Sequence, residues 1–431
     1  MVGANELTAC EAARQIAKRE LTSVALVEAC LARVNEREEA VRAWTYLDQD
    51  YAMAQARYAD KRLVMGEVLG PLHGVPVAIK DILDTADMPT ENGTPVHEGR
   101  QPEEDAHVVE ALRKAGAVIM GKTVTTELAV FHPGKTRNPH DQGRTPGGSS
   151  SGSAAAVASC MVPVGLGTQT AGSILRPASY CGVYGFKPTF GLVPRIGCLN
   201  QSPALDTIGP LARSVEDLAF ITDIIAAYDP RDGASWQRGG ATLTEIATRA
   251  SQQAPRLAFI KTPMWSRADA TAQEALLSFI SRLGQYCDEV DLPEDFAEAW
   301  TLQRLLQWRD VAKNYGLIFD GRLEMASPKM RELIEIGEGH SDAQYAAARE
   351  KQEQTAVRLE ELLAGFDAFV MLASPGPAPQ GLEATGDPVF NALATFAGMP
   401  AVSLPLMEVE GLPCGVQLIG ARQRDGELLS T

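Results

Sequence analysis

Histidine is scarce in this chain, and long apolar runs are missing. The 431 residues include six histidines, none of them in an HxH or HExxH pattern, so a histidine-bound metal has little support. No stretch of roughly eighteen apolar residues, the length that a membrane span needs, occurs. The N-terminal residues include acids and lack the apolar segment of a secretory signal. We therefore expect no metal, no cofactor and no membrane association.

Basic residues are in the minority. The chain has 39 lysines and arginines against 55 aspartates and glutamates, which gives a net charge of −16. Binding to nucleic acid or to an anionic membrane needs a basic surface. We therefore expect no nucleic-acid partner, although one buried arginine that binds a small anion is compatible with this charge.

The seven cysteines are odd in number and form no CxxC pair. This pattern favours reduced thiols in a cytoplasmic protein over a disulfide framework. Cys181, in the sequence SYCGVYGF, has no histidine near it in the chain. We therefore expect a small buried hydrophobic residue at this position rather than a nucleophile.

Alternating helix and strand patterns predict an α/β protein. Residues 8–11 form a capping box, after which apolar residues recur at helical spacing to residue 34. An apolar strand at 75–79, a helix at 106–115 and a strand at 117–120 follow each other as in a βα unit. The further predictions are a buried helix at 153–159, strands at 258–260, 369–372 and 402–406, and a polar, irregular segment at 227–255.

The segment Gly116–Thr123 matches the phosphate-binding pattern GxxxxGKT, but its interior is apolar. A phosphate-binding loop needs an exposed turn whose amides face the ligand. The interior residues Ala117, Val118, Ile119 and Met120 are instead typical of a buried strand. We therefore expect no nucleotide site at this segment.

The segment Gly148–Gly152 matches the GxSxG pattern of serine hydrolases, with Ser150 at its centre. In that class of hydrolase, the serine follows a strand and the triad histidine comes later in the chain. Here Pro146 and Gly147 precede the pattern, and His340 is the one histidine downstream of it. A Ser-His-Asp triad therefore has little support.

A different serine site is compatible with the residues. Amide hydrolysis needs an activated hydroxyl, a site for the tetrahedral oxyanion and a proton for the leaving nitrogen. The segment Thr168–Ser173 places a serine after small residues, and such a turn lets successive N–H groups bind an oxyanion. A lysine replaces histidine as the base when burial keeps it neutral. Lys80, which follows the apolar run at 75–79, is the candidate; the alternative is an ion pair with Asp81 or Asp84.

These residues belong to a longer resemblance, because the chain resembles the amidase signature family almost from end to end. The resemblance implies an α/β fold with a mixed, twisted sheet flanked by helices on both sides. The matching segments are GPLHGVPVAIKD (70–81), AGAVIMGKT (115–123), TRNPHD (136–141), GGSSSGSAAAVA (147–158), GTQTAGSILRPASYCGVYGFKPT (167–189), LDTIGPLARSVED (205–217) and GLPCGVQLIG (411–420).

The resemblance also implies one amidase domain over residues 1–431. We divide it into an N-terminal helical segment (1–65), a core that carries the catalytic residues (66–225) and a more variable segment (226–431). Family members usually continue with a further helix beyond the region that matches residues 417–429. We therefore expect the last segment of this chain to pack poorly.

The catalytic residues implied by the resemblance form a Ser–cis-Ser–Lys triad. By motif position, Ser173 is the nucleophile, Ser149 the bridging serine and Lys80 the base, and the peptide bond before Ser149 is cis. The groups implied to hold the oxyanion are the N–H groups of Thr170, Ala171, Gly172 and Ser173.

Two departures from the family pattern concern the substrate. Most members read GTDxxGSIRxP, whereas this chain has Gln169 at the aspartate position, Leu175 at the arginine position and Arg176 one residue later. This form is similar to malonamidase, in which a threonine and an arginine serve the substrate; here these are Thr168 and Arg176. An arginine at this point is suited to a bidentate grip on a carboxylate. The alternative is that Arg176 makes a structural ion pair.

We therefore expect an amidohydrolase that cleaves a carboxylic acid amide through an acyl-serine intermediate, with small, carboxylate-bearing, malonamate-like amides as substrates. The expected partners are a small-molecule amide and at most a second copy of the chain in a homodimer, with no nucleic acid and no membrane. Two alternatives stay open. The chain is the amidase subunit of a tRNA-dependent amidotransferase complex, or it is a catalytically silent family member.

Overall fold

The short apolar runs of the sequence become strands of one sheet. The computed structural model describes residues 3–67, 70–249 and 254–431. The strands in these ranges are β1 (Trp44–Leu47), β2 (Pro76–Lys80), β3 (Val118–Thr123), β4 (Val164–Gln169), β5 (Tyr184–Lys187), β6 (Thr207–Ala212), β7 (Leu257–Lys261), β8 (Cys287–Asp291), β9 (Ala368–Leu372), β10 (Ala401–Val409) and β11 (Leu412–Ile419).

Helices of very different length connect these strands. The α-helices in the described ranges are α1 (Ala9–Ala17), α2 (Ser23–Val41), α3 (Gln49–Val64), α4 (His107–Lys114), α5 (Ser151–Ala158), α6 (Leu175–Cys181), α7 (Val215–Ile225), α8 (Leu243–Ala247), α9 (Ala270–Leu283), α10 (Glu298–Ile318), α11 (Pro328–Glu338), α12 (Asp342–Leu363), α13 (Ala392–Phe396) and α14 (Asp425–Ser430). None of these described helices combines the length and the apolarity that crossing a bilayer requires.

The strands pair in the order β1-β3-β2-β4-β6-β5-β10-β11-β9-β7-β8. The sheet is mixed, because β2 runs parallel to both β3 and β4 while β4 pairs antiparallel with β6. Strands β2, β3, β4 and β6 are buried along their whole length. Burial on both faces explains why their sequences show nearly continuous apolar or small residues instead of a polar-apolar alternation.

Small residues let the centre of the sheet close up. A Cβ atom on Gly209 of β6 would lie 2.1 Å from the carbonyl oxygen of Phe186 in β5. Glycine at this position therefore permits a strand spacing that a larger residue would prevent. The same composition hid β4 and β6 from prediction, since VGLGTQ and TIGPLA have no aromatic residue and their few β-branched residues are interrupted by glycine or proline.

Most of the predicted elements are confirmed. The capping box at Thr8 begins α1, and the strands predicted near 75, 117, 258, 369 and 402 correspond to β2, β3, β7, β9 and β10. The polar segment at 227–255 contains the short helix α8, and its residues 250–253 lie outside the described ranges, as do residues 1–2 of the predicted N-terminal helical segment.

Strand β3 forms most of the phosphate-loop pattern, Gly116–Thr123. The amine of Lys122 is fully buried and lies 3.6 Å from the carboxylate of Asp81. Four oxygens of the segment that follows β2 lie within hydrogen-bond distance of Lys122 Nζ, namely Leu83 O, Thr85 Oγ1, Pro89 O and Thr90 Oγ1. Because the N–H groups of Lys122 are used in hydrogen bonds inside the protein, this lysine holds the segment against the sheet and is not available to bind a phosphate.

The cysteines form no disulfides within the described ranges, and the central serine of GxSxG is buried. All seven cysteines, each within the described ranges, are free thiols. Cys181 is fully buried, and burial raises the pKa of its thiol, as expected for a residue that acts as a hydrophobe. Ser150 is fully buried as well, and its Oγ accepts a hydrogen bond from the N–H of Thr168 at 3.2 Å.

The prediction that the last segment packs poorly is wrong. Leu428 and Leu429 of α14 are 2% and 6% exposed. The carboxylate of Asp425, at the start of α14, accepts hydrogen bonds from the N–H and the hydroxyl of Thr189 at 2.7 and 2.6 Å. This contact with the end of β5 holds the C-terminal helix against the core.

We expect Leu428→Ala to lower the free energy of unfolding by about 2–5 kcal/mol, because it leaves a cavity under α14. Leu406→Ala is the matched control, since Leu406 is 45% exposed. Thermal or urea unfolding of both variants measures the difference. Equal destabilisation by the two substitutions would contradict the packing of α14 described above.

Candidate active site

Two parallel strands bring the predicted base, Lys80, to the segment Thr168–Ser173. Val77, Ala78 and Ile79 of β2 pair in register with Val164, Gly165 and Leu166 of β4. Parallel strands end at the same edge of a sheet. Lys80 at the end of β2 therefore comes to lie beside Thr168 near the end of β4.

Lys80 is buried, and among the described residues the hydrogen-bond partners of its amine are two hydroxyl groups. The side chain is 0% exposed, and Nζ donates to Ser149 Oγ at 2.7 Å and to Thr168 Oγ1 at 2.8 Å. The alternative ion pairs are not formed, because Asp81 faces Lys122 and Asp84 pairs with Arg100 at 2.7 Å.

Burial without a carboxylate partner changes the protonation of this lysine. Desolvation lowers the pKa of Lys80 to about 7, and the nearby Cys198 and Asp206 oppose that effect. A lysine with this pKa is substantially neutral near pH 7 and can accept a proton.

Ser149 accepts a hydrogen bond from Lys80, and the residue after it contacts Ser173. Ser149 is 1% exposed, and the Gly148–Ser149 peptide bond is cis, as the resemblance implied. The N–H of the next residue, Ser150, donates to the carbonyl oxygen of Ser173 at 3.3 Å. This backbone contact brings the segment of Ser149 next to the segment of Ser173.

Ser173 lies at the turn between β4 and α6. It is partly exposed, in contrast to Lys80 and Ser149. Within the described part of the chain, its hydroxyl makes no hydrogen bond. The arrangement leaves this hydroxyl open to an incoming molecule, and catalytic hydrogen bonds commonly shorten only when a substrate is bound.

The loop before Ser173 has its carbonyl groups occupied and its N–H groups free. The carbonyl oxygens of Thr170, Ala171 and Gly172 accept from Gln303 Nε2 (3.0 Å), Thr395 Oγ1 (2.7 Å) and Arg176 N (2.9 Å). Among the described residues, the N–H groups of Thr170, Ala171, Gly172 and Ser173 have no acceptor. We call residues 170–173 the oxyanion loop.

Peptide planarity links these two observations. In a trans peptide, the carbonyl oxygen of one residue and the N–H of the next point in opposite directions. A donor that holds the carbonyl of Thr170 therefore turns the N–H of Ala171 away from that donor, and the same holds for the two following peptides. Unpaired N–H groups in successive peptides are suited to binding an oxyanion.

Glycine is required inside the oxyanion loop. A Cβ atom on Gly172 would lie 2.5 Å from Asn391 Oδ1 and 2.8 Å from Pro388 Cβ. A side chain at this position would therefore displace the loop from the residues that line the site.

Gln169, which replaces the family aspartate, joins the loop to helix α6. Its Oε1 accepts from the N–H groups of Ile174 and Leu175 at 2.9 and 3.0 Å, and its Nε2 donates to Thr395 at 2.9 Å. The first N–H groups of a helix need such acceptors. Unlike an aspartate, the amide also supplies the donor for Thr395.

The two predicted substrate-binding residues make internal contacts. Thr168 is 5% exposed and its hydroxyl accepts from Lys80. Arg176 is 2% exposed, and its Nη2 donates to the carbonyl of Gly148 at 2.7 Å and to Thr385 Oγ1 at 3.1 Å. Arg176 forms no ion pair within the described ranges, so the alternative structural ion pair is not formed. A role of either residue in binding a substrate stays a prediction.

A cavity of about 230 Å³ opens beside the oxyanion loop. Its size suits a small amide, because it lies below the usual range of sites for drug-sized ligands. The residues that line it are Phe131, Ala171, Gln303, Arg304, Gln307, Gly386, Asp387 and Pro388. A larger cleft of about 620 Å³, between Phe190, Trp236 and Arg422, contains none of the predicted site residues.

Sequence reasoning missed the residues that hold the loop from outside. Asp206, Gln303 and Thr395 lie far from Ser173 in the chain but bond to residues 170–171. Asp206 stands in the LDTIGP segment, which indicated family membership but no role for the carboxylate. Gln303 and Thr395 carry no sequence signal, because their function depends on the packing of α10 and α13.

Comparison with known proteins identifies the family. The model of the family described as Amidase matches residues 25–429. A glutamyl-tRNA(Gln) amidotransferase subunit of Chloroflexus aurantiacus is 36% identical over 472 aligned residues, which cover 100% of this chain and 96% of that protein.

Solved structures are similar over nearly the whole chain. A protein described as part of a vestigial complex that reveals the evolutionary origins of an s-triazine catabolic enzyme has a TM-score of 0.91 and 29% identity, with 98% of this chain and 97% of that chain covered. The peptide amidase of Stenotrophomonas maltophilia has a TM-score of 0.86 and 30% identity, with 99% and 95% covered.

These relatives contradict the predicted partners. We expected a small-molecule amide, no nucleic acid and at most a homodimer. Curated relatives with 33–36% identity are instead named as subunits of glutamyl-tRNA(Gln) amidotransferase. They also do not single out malonamidase, although the segment GTQTAGSILRP is similar to that enzyme.

The family model covers most of the chain, and relatives above 30% identity span all of it. The fold agrees, since the mixed sheet flanked by helices superposes on that of the peptide amidase. The chain therefore belongs to the amidase signature family, whose members hydrolyse amide C–N bonds.

Proposed function

We propose that this chain is an acyl-serine amidohydrolase that works as the amidase subunit of a tRNA-dependent amidotransferase. The chemistry is supported by a buried lysine that donates to a serine at 2.7 Å, beside a loop of unpaired N–H groups. The assembly is supported by the curated relatives, which this chain matches over its whole length.

In the first step, the hydroxyl oxygen of Ser173 attacks the carbon of the substrate amide. The proton of Ser173 passes to Ser149, and the proton of Ser149 passes to the neutral amine of Lys80. The N–H groups of the oxyanion loop hold the negative charge that develops on the carbonyl oxygen.

In the second step, the C–N bond breaks and the proton returns from Lys80 through Ser149 to the nitrogen, which leaves as ammonia or an amine. Water then attacks the acyl carbon and loses a proton along the same path. The bond to Ser173 breaks, the carboxylic acid is released, and Ser173 regains its proton.

The charge of the chain bears on how the assembly would contact tRNA. A net charge of −16 disfavours a broad contact with a polyanion. We therefore assign most of the tRNA contacts to partner subunits, and to this chain the release of ammonia from an amide donor.

Reconstitution tests the proposal. Ammonia release from glutamine is measured for the chain alone and for the chain mixed with the remaining amidotransferase subunits and glutamyl-tRNA(Gln) of the same organism. We expect faster release in the mixture, together with glutaminyl-tRNA. Ser173→Ala should be inactive in both because it lacks the nucleophile, whereas Ser281→Ala, on the exposed surface of α9, should match the wild type.

The outcomes separate the two parts of the proposal. Wild-type activity of the Ser173→Ala variant would contradict the nucleophile. If the chain alone hydrolyses amides but the mixture forms no glutaminyl-tRNA, the assembly is wrong and the chemistry stands.

The pH dependence follows from the base. The pKa of Lys80 is lowered to about 7 by burial, and only its neutral form accepts the proton. We expect kcat/KM to rise with pH through an apparent pKa near 7 and to level off above it. A steady-state pH profile measures this, and an acid limb centred near the ordinary lysine pKa of about 10.4 would contradict Lys80 as the buried base.

Arg176 lies behind the bridging serine. Its Nη2 holds the carbonyl of Gly148, which belongs to the peptide that leads into Ser149. Within the described ranges, its Nε and Nη1 are buried and have no hydrogen-bond partner, and Arg176 does not line the cavity beside the oxyanion loop. These contacts favour support of Ser149 over a direct grip on a substrate carboxylate.

We expect Arg176→Lys to lower kcat by a similar factor for a neutral amide and for malonamate, because a lysine cannot hold both Gly148 and Thr385 in the same geometry. Arg331→Lys, on the exposed face of α11, is the matched control. Turnover of acetamide and malonamate by both variants measures the effect. A loss confined to malonamate would instead assign Arg176 to the carboxylate.

A further inference from the structure

The hydroxyl of Thr170 is held by a buried carboxylate. Thr170 Oγ1 lies 2.5 Å from Asp206 Oδ1 and 2.9 Å from Gln201 Oε1. Thr170 and Asp206 are 5% and 7% exposed. A hydrogen bond between a hydroxyl and a carboxylate is stronger than one between neutral groups, so this contact fixes the first residue of the oxyanion loop.

Asp206 is itself held in place. Its second oxygen, Oδ2, accepts from the N–H groups of Gln201 and Ser202 at 2.9 and 2.8 Å. The hydroxyl of Ser202 donates to Asp310 of α10 at 2.5 Å. The carboxylate therefore belongs to a closed turn, residues 201–206, that is fastened to helix α10.

The position of Asp206 in the sheet explains its reach. It immediately precedes β6, and Thr207 of β6 pairs with Gln169, the last residue of β4. Thr170 thus follows β4 and Asp206 precedes β6, each one residue beyond the last hydrogen-bonded pair of these two strands. The sheet places them opposite each other, although 36 positions separate them in the chain.

The carbonyl of Thr170 is held from another direction. Gln303 Nε2, on α10, donates to it at 3.0 Å. With the side chain held by Asp206 and the carbonyl held by Gln303, the Thr170–Ala171 peptide has one orientation. The N–H of Ala171 then points away from Gln303, as peptide planarity requires.

We propose that Asp206 is a positioning residue for the reaction, which acts through Thr170 to keep the first N–H groups of the oxyanion loop aimed at the substrate oxygen. This inference rests on the proposed acyl-serine chemistry. It does not depend on the proposed assembly.

Asp206→Asn is the first test. If the amide nitrogen of asparagine faces Thr170, it donates to the hydroxyl, and a weaker neutral hydrogen bond replaces the charge-assisted one. If it faces the 201–206 turn, the N–H groups of Gln201 and Ser202 lose their acceptor. We expect kcat for amide hydrolysis to fall by about 10²-fold, the scale of losing one oxyanion donor, with KM nearly unchanged.

Substitutions at Thr170 separate positioning from folding. Thr170→Val removes the hydroxyl but keeps the shape, so we expect the same loss of kcat. Thr170→Ser restores the hydroxyl and should recover most of the activity. The double variant Asp206→Asn/Thr170→Val should lose no more than either single variant, because both act through one contact.

The matched control is Asp217→Asn. Asp217 is also a buried carboxylate, and it accepts from the N–H groups of Ala9 and Cys10 at 3.1 and 2.9 Å, at the start of α1. We expect this variant to lose stability but to keep the wild-type kcat. A loss of kcat in Asp217→Asn as large as in Asp206→Asn would overturn the positioning role.

A covalent probe makes the test independent of the natural substrate. A fluorophosphonate reacts with a serine nucleophile: the serine oxygen bonds to phosphorus, fluoride leaves, and the hydroxyl proton passes through Ser149 to Lys80. The phosphonyl oxygen needs the same N–H groups. We expect labelling of Ser173 to slow in Asp206→Asn and Thr170→Val but not in Thr170→Ser. Labelling and kcat at wild-type levels in a folded Asp206→Asn variant, or a change in KM alone, would overturn the inference. No labelling of the wild type would contradict Ser173 as the nucleophile and with it the proposed chemistry.

Discussion

The site depends on a lysine that is buried without a carboxylate. In the part of the chain that the structure describes, Lys80 has only hydroxyl groups as hydrogen-bond partners, and desolvation lowers its pKa to about 7. A carboxylate in contact would stabilise the ammonium form and remove the base. The surroundings therefore direct the nearby acids elsewhere, Asp81 toward Lys122 and Asp84 toward Arg100. Asp81, one of the two acids considered as a partner for Lys80, thus pairs with a second buried lysine, Lys122 of the phosphate-loop pattern.

The oxyanion loop follows a comparable logic. An N–H group can bind an oxyanion only if it is not used by the protein, and a buried peptide with both groups unpaired is costly. Both conditions are met, because the three carbonyl groups have donors and the N–H groups have no acceptor among the described residues. Two of the donors come from α10 and α13, which are distant in sequence, and the third is the N–H of Arg176 in the adjacent α6. This dependence explains why a catalytic loop of small residues can keep one conformation.

The sequence predicted the family correctly and the partners wrongly. The spacing of the serine-rich segments indicated the amidase signature family and an α/β fold, and the family model and the structural relatives agree. The partners were predicted wrongly. That prediction rested on the net charge and on the position of Arg176, and a single sequence does not show the relatives that contradict it. Arg176 also shows the limit of a residue pattern. Its position suggested a carboxylate ligand, whereas its contacts in the folded chain are with Gly148 and Thr385.

The sequence by itself determined which groups are available: a lysine after an apolar strand, serines at two turns, and small residues before Ser173. It also excluded a phosphate loop at Gly116–Thr123, since apolar residues cannot form an exposed turn. Only the tertiary structure decided that Lys80 contacts Ser149 and not Asp81 or Asp84, that Gln169 caps α6, and that Asp206 and Gln303 hold Thr170. The physical reason is that burial, desolvation and hydrogen-bond geometry are properties of neighbours in space, and these neighbours come from strands and helices that the chain separates by tens to hundreds of residues.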